Sequence, residues 1–339
     1  MNHTTIYHEP GRCGGWPANN GSWQWGDELL VGFNSVEHAK RSIDKHQVAR
    51  GSDKWAMFAR SLDGGETWGV VRMPELEKAG KLWLNEPMYL CQSEFAMTLR
   101  MSSSQNGESS IFYSRDKGHS WSGPWRFPIF GELGIMARTD YIVLGPYKAM
   151  VFVTASKRNG REGRPLCVVT EDGGITWSVR GWIGPEIDNG FAIMPSSILL
   201  PDGSIMTAVR VSRRGSIPGG LIALFRSDDE GRTWDQSFGV AFPGERTSTP
   251  PDMKMLHDGR LCIVYGNRSG PYSIQAVFSR HNIYTWSEPF TIHDGAACWD
   301  FGYPRTFQRL DGKMVTVYYW CETEHGERTI ESTIWELPE

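Results

Sequence analysis

Eight residues recur along this chain. Ser61-Leu-Asp-Gly-Gly-Glu-Thr-Trp68 returns as Ser114-Arg-Asp-Lys-Gly-His-Ser-Trp121, as Thr170-Glu-Asp-Gly-Gly-Ile-Thr-Trp177 and as Ser227-Asp-Asp-Glu-Gly-Arg-Thr-Trp234. A decayed copy, Ser279-Arg-His-Asn-Ile-Tyr-Thr-Trp286, keeps the first residue and the last two. The copies start 53, 56, 57 and 52 residues apart. A fixed period of this kind marks a repeat architecture in which each repeat is one supersecondary unit. The octet itself reads as a turn: the Asp carboxylate accepts from backbone N–H groups, Gly takes positive φ, and the closing Trp packs down on the strands. Apolar strand-like runs precede the copies at 55–59, 110–113, 166–169, 221–225 and 274–278. The octet is therefore expected to be a hairpin between two strands of an all-β fold.

Six units of this period fill the 339 residues, so one domain spanning 1–339 is expected. The short run Thr4–Tyr7 and the longer run Thr329–Trp335 are expected to pair, so that the N-terminal strand completes the last unit and hides an exposed edge. A net charge of −4 gives no footprint for nucleic acid, and no apolar run is long enough for a membrane helix. Met1-Asn-His-Thr-Thr5 is not a signal peptide, which predicts a cytoplasmic protein, or a secreted one if a leader was trimmed. The six cysteines are scattered without a CxxC pair and read as buried thiols; the nine histidines form no HxH or HExxH pair, so neither metal nor cofactor is expected.

Asp202-Gly203, Asp258-Gly259 and Asp311-Gly312 each stand between two apolar runs and read as tight turns between the first and second strands of a unit. These turns and the octets should share one face. The starts of first strands and the ends of second strands should then converge at the other face. Those positions are Gly14–Asn20, including Asn19; Glu86 and Arg100; Arg138 and Asp140, with Lys157; Arg210; Asp252 and Arg268; and Asp300, Tyr303 and Arg305. Several guanidinium groups about one hollow suit an anionic ligand, because the fork binds a carboxylate bidentately and stays charged. An acidic glycan is the expected partner. Trp16, Trp23, Trp25 and Trp299 are candidates to stack on a sugar. Arg138 and Asp140 are two apart and would share a strand face, where they are able to pair.

The octet resembles the Asp-box of the sialidase superfamily. The resemblance implies a six-bladed β-propeller and an exo-sialidase-like glycoside hydrolase with an arginine clamp and a Tyr nucleophile. Its Arg-Ile-Pro segment finds Pro17 here, but Gly15 stands in place of the arginine, with Arg12 as the nearby substitute. The later arginines correspond to Arg210 and Arg268. The nucleophile corresponds to Tyr303, eight residues before Asp311. The acid/base aspartate of the first-blade loop corresponds to Asp44, with Asp53 second. The glutamate that should activate the tyrosine falls on Met194, leaving Asp252, Asp300 or Glu186 as replacements. Those departures keep two other readings open: a glycosidase or lyase acting on a uronate- or rhamnose-containing polysaccharide, and a propeller that binds carbohydrate without turning it over.

Overall fold

A computed structural model describes residues 1–213, 219–244, 249–280 and 285–338. Apart from two short 3-10 segments, Pro17–Asn19 and Pro74–Glu77, all regular structure is antiparallel strand or short bridge. Six sheets are the blades of a six-bladed β-propeller. The chain forms two compact units, Met1–Glu77 with Ala241–Glu339, and Lys78–Val240.

The first unit holds three sheets. One runs from strand Gly302–Gln308 through Met314–Trp320 and Thr329–Trp335 to the N-terminal strand Asn2–Tyr7. The N-terminal strand pairs from Asn2 opposite Ile334 to Tyr7 opposite Ile330. The second contains Arg12–Gly15, Ser22–Trp25, Glu28–Glu37, Lys54–Ser61 and Gly69–Arg72. The third runs Asp252–Met255, Leu261–Asn267, Ser273–Phe278, Phe290–Asp294. Apolar faces of neighbouring sheets meet in two buried layers, one around Phe33, Val317 and Tyr319, the other around Val264, Phe301 and Trp320. Lys78–Val240 is built alike, with layers around Leu99 and Val151 and around Phe152 and Val209.

The octets are hairpin turns closed by one repeated hydrogen-bond set. In the first, Gly65 N donates to Ser61 Oγ (2.7 Å), Thr67 N to Asp63 Oδ1 (2.9 Å), Thr67 Oγ1 to Asp63 Oδ2 (2.5 Å), and Trp68 Nε1 to the Gly65 carbonyl (3.0 Å). The copies at 170 and 227 repeat all four contacts. The fourth octet position is left-handed in each: Gly64 (φ 69°), Lys117 (φ 56°), Gly173 (φ 70°) and Glu230 (φ 56°). The inner turns also close as expected, with Gly203, Gly259 and Gly312 near φ 85° and each donating to the carbonyl three residues back. Arg309, beside the last of these turns, pairs with Glu66 at 2.6 Å, so that turn and the first octet share a face. Residues 281–284 of the decayed copy lie outside the described residues.

One blade departs from the common plan. This sheet of Lys78–Val240 has three described strands, Ala96–Met101, Ser109–Ser114 and Ser122–Phe127. Asn85-Glu86-Pro87, expected to start its first strand, instead docks on the third octet: Met88 N donates to the Gly173 carbonyl, and Leu90 N to that of Pro146. Glu86 is thus an exposed residue on the octet side and not at a strand start. All six cysteines are free, five of them buried and Cys91 exposed.

Two outcomes test this account. Lys117→Gly removes a left-handed side-chain penalty and should raise stability by up to about 1 kcal/mol in urea unfolding. Hydrogen bonds from Thr67 and Thr233 hold Asp63 and Asp229 at a pKa of about 2. Their contribution is full above the unfolded value of about 3.9 and fades as pH falls towards about 2. Asp63→Asn should therefore melt lower than the parent at neutral pH, and the gap should shrink on acidification through that window.

Candidate active site

Four first strands break in mid-course. In the last blade Gly302 faces Tyr319 and Arg305 faces Val317, so three steps on one strand match two on the other. Strand Gly190–Leu199 breaks alike between Ile193 and Ser196, and longer insertions separate Arg12–Gly15 from Ser22–Trp25 and Ile135–Met136 from Tyr141–Val143. At three of these breaks a bulky residue in front of proline sits at positive φ: Trp16 (58°), Met194 (56°) and Tyr303 (54°). Proline disfavours the right-handed helical region for its predecessor, and the left-handed region costs an L-residue about 1–2 kcal/mol. Strain of this kind, at a break that turns side chains out of the sheet, marks candidate functional positions.

In the first unit, two of these residues flank a polar cluster. Trp16 and Tyr303 lie 6.2 and 5.7 Å, centroid to centroid, from the buried Tyr319 ring. The Tyr319 hydroxyl donates to Asp300 Oδ1 at 2.8 Å and accepts from Arg268 Nη2 at 3.2 Å. Arg268 also donates to the Phe301 carbonyl (2.8 Å), and its guanidinium lies 5.2 Å from the Trp299 ring and 5.9 Å from that of Tyr303. His46 Nδ1 meets Asp300 Oδ1 at 2.7 Å. Arg328 Nε closes the cluster from behind at 3.4 Å from Asp300 Oδ2. Burial opposes the charge on Asp300, but His46, Arg328 and the Tyr319 hydroxyl outweigh it and hold the carboxyl below its ordinary pKa. The same burial, with Asp300's negative charge, drives Tyr319 well above its ordinary value. Tyr319 is therefore a neutral phenol.

The loop that brings His46 here is organised by a buried amide. Gln47 Nε2 donates to the carbonyls of Ser42 and Lys45, and its Oε1 accepts from Arg41 N. Trp299 Nε1 pins the loop by donating to the Ile43 carbonyl at 2.6 Å. His46, Trp16, Trp299 and Tyr303 are half-buried and surround the buried Arg268, Asp300 and Tyr319.

The sequence expectations fare unevenly. Tyr303, Arg268 and Asp300 come together in this cluster. Asp252 does not serve a phenol: it accepts from Arg305 Nη1 (3.0 Å) and Thr306 N (2.6 Å) and joins two adjacent blades. Arg305 is likewise spent on Asp252 and on the Ala18 carbonyl (2.7 Å), and is buried. Arg12 stacks at 3.4 Å on Trp55 and donates to Ser35 Oγ, the Ser35 carbonyl and the Asp53 carbonyl, so it is committed inside its own blade. Asp44 is exposed; Ser42 Oγ and Lys45 hold its pKa at about 2, so at neutral pH it carries no proton to donate. Asp53 is also exposed, and Asn19 sits half-buried in the 3-10 segment after Trp16. Trp23 packs edge-on against Phe58 in the core, and Trp25 ends its strand beside the octet-side turn.

In the second unit Arg138 and Asp140 do not pair with each other. Arg138 forms a buried two-pronged ion pair with Glu162, and Asp140 accepts from Ser197 N (3.2 Å) and Ser197 Oγ (2.8 Å). Asp140 thus caps the next blade as Asp252 does. Lys157 donates to the carbonyls of Ile187, Asp188 and Gly190 and clamps that loop. Arg210 Nη1 lies 3.8 Å from Met194 Sδ, a thioether where the resemblance implies a carboxylate. Glu186 is half-buried in the loop that Lys157 clamps. Sequence reading missed His46 and Tyr319. The X-Pro steps Trp16-Pro17, Met194-Pro195 and Tyr303-Pro304 were its available signal for the breaks.

Residues 79–316 match the family described as the BNR repeat-like domain. No curated protein matches the chain by sequence. A Dyadobacter fermentans protein of unknown function is similar in structure over 99% of this chain and 98% of its own, at 17% identity and a TM-score of 0.77. An α-L-arabinofuranosidase of Fusarium graminearum is similar over 99% and 98%, at 13% identity and TM-score 0.65. A Trypanosoma rangeli sialidase bound to sialic acid is similar over 93% of this chain but 53% of its own, at 12% identity and TM-score 0.61. At these identities the likeness is one of fold.

Because Asp252 and Arg305 are both buried, Asp252→Ala should strand a guanidinium in the interior. A loss of about 3–5 kcal/mol in chemical unfolding is expected; a loss under about 1 kcal/mol would show that this pair is no staple.

Proposed function

The chain belongs to the BNR repeat-like family, and from that premise we propose that it is a glycoside hydrolase acting on a terminal sugar that carries a carboxylate, most simply an α-linked sialic acid. The observation that carries the reading is Arg268, a buried cation 5.2 Å from the Trp299 ring and 5.9 Å from the Tyr303 ring, both of them half-buried. A guanidinium so placed suits a carboxylate, and indole faces suit the apolar face of a sugar ring. Tyr303 is assigned as the nucleophile. Asp300 and Asp252, the carboxylates considered for its activation, are buried and already paired. A phenol also spares the substrate's own negative charge from an anionic attacker. Related folds that act on sialic acid and on arabinofuranosides support glycan chemistry in general.

A second reading draws on the same spent carboxylates. Imidazole and phenols are the proton-transfer groups that remain in this cluster, and β-elimination from a uronate needs a base, an acid and a cation on the carboxylate. That reading predicts an unsaturated sugar as product.

The test uses the purified chain with aryl glycosides of sialic acid, glucuronic acid and arabinofuranose, together with uronate-containing oligosaccharides. Release of aglycone from an acidic glycoside is expected. Tyr303→Phe should lower kcat by roughly 10³-fold or more, and Arg268→Lys should lower kcat/KM by about 10-fold or more on the acidic substrate. Faster cleavage of the arabinofuranoside would overturn the acidic assignment. An unsaturated product would replace hydrolysis with elimination, and binding without any product would remove the enzymatic reading.

A further inference from the structure

On the enzymatic reading above, the cluster around Asp300 still needs a group that gives and takes a proton. Asp44, where the sequence resemblance points, is exposed, paired with Lys45 and ionised. Another side chain of the same loop is built for the task. We propose that His46 is the proton-transfer residue of this cluster, with Asp300 as the residue that positions it.

An ionised carboxylate only accepts. Asp300 Oδ1 lies 2.7 Å from His46 Nδ1, so Nδ1 carries a proton whether the ring is neutral or charged. The exchangeable proton is then on Nε2. Among the described residues, Nε2 makes no hydrogen bond. The imidazole side chain is 39% exposed while that of Asp300 is 3% exposed, so a solvent-facing ring is fixed by a buried anchor. Trp16 meets the ring edge-on at 5.5 Å and Trp299 meets it at 5.3 Å, which limits its rotation. A base oriented by a third group through one nitrogen, with the other left for the reacting proton, is the recurring arrangement of activated proton transfer. Asp300 also receives the Tyr319 hydroxyl, which in turn accepts from Arg268. The residue assigned to the substrate carboxylate and the residue assigned to the proton thus share one buried anion.

The chemistry balances as follows. In the first half, the imidazolium gives its Nε2 proton to the glycosidic oxygen as the bond to the anomeric carbon breaks and the electron pair leaves with that oxygen. The Tyr303 oxygen bonds to the carbon and releases its own proton to solvent. In the second half, neutral His46 removes a proton from water as the water oxygen bonds to the carbon. The Tyr303 oxygen departs with its pair and is reprotonated. One water is consumed, and His46 ends as it began.

The experiment combines kinetics with nitrogen-15 resonances of the histidine rings. His46→Gln should lower kcat by roughly 10²- to 10⁴-fold with little change in KM. Added imidazole should restore part of the rate of His46→Ala, a rescue that lost packing would not give. Asp300→Asn should lower kcat while the fold, followed by circular dichroism, persists. In the free protein the resonances should show Nδ1 protonated, and saturating sialic acid or glucuronate should shift Nε2. An unchanged kcat in His46→Gln overturns the proposal even if Tyr303→Phe is dead, which leaves the hydrolase reading standing. The opposite tautomer, or an Nε2 signal indifferent to saturating sugar, overturns it whether or not turnover is found. A wild-type chain that cleaves nothing in the panel overturns the hydrolase reading and the transfer role with it.

Discussion

A bulky L-residue held at positive φ before a proline is a costly conformation, and the candidate site rests on it. Trp16 and Tyr303 are kept there because the strands on either side of each break stay hydrogen-bonded to the neighbouring second strand. The ladder can continue only if the intervening residues leave the pleat. Their side chains then escape the in–out alternation of the sheet and turn towards the strand end. Two aromatic rings are thereby brought against Tyr319. The conformational cost, of order 1–3 kcal/mol per residue, is small against the packed layers that enforce it.

Aspartates do three different jobs in this protein, and their partners decide which. Asp140 and Asp252 accept backbone N–H groups three residues past a break, at Ser197 and Thr306, and so tie one blade's first strand to the next. Asp63, Asp116, Asp172 and Asp229 close the octet turns from the surface, each bonded to the hydroxyl four residues on. Asp300 has no backbone N–H of a following blade to cap. Its partners are an imidazole, a phenol and a guanidinium, all of them side chains. An anion that stabilises only side chains is free to act through them, whereas one locked to a backbone amide cannot move charge without loosening the fold. That difference separates Asp300 from Asp252, although sequence position alone made them equivalent candidates.

Local features were legible before the structure and distant ones were not. The octet gave its hairpin because all its hydrogen bonds fall within eight residues, and the Asp-Gly turns were readable for the same reason. Arg268 and Tyr303 were legible from their place within a repeat. His46 was not, because its partner Asp300 is 254 residues away and its loop is shaped by Gln47 through contacts that no periodicity records. Glu86 was misplaced because one blade abandons the repeat: its segment finds backbone partners at Gly173 and Pro146 in place of a first-strand ladder. Arg138 with Asp140 failed for a related reason. Spacing along a strand says which residues share a face, but the partner that wins is set by the adjacent strand and blade, here Glu162 and Ser197.

The methionine at position 194 is a departure from the motif that this sequence resembles. A carboxylate at that position would bring negative charge towards Arg210; the thioether brings none and accepts only weakly, at 3.8 Å. A phenol with an ordinary pKa near 10 needs help to ionise, so a chain that has given up that carboxylate must find its proton chemistry elsewhere or forgo phenolate formation. The cluster around Asp300 is such an alternative. It includes Tyr319, against whose ring Tyr303 packs edge-on, and it joins a half-buried imidazole with a buried guanidinium. A substrate carboxylate arriving at Arg268 would draw on the same charge that lets Tyr319 hold Asp300. Binding and proton transfer would then be coupled through one buried oxygen, Oδ1 of Asp300, and removing it would weaken both together.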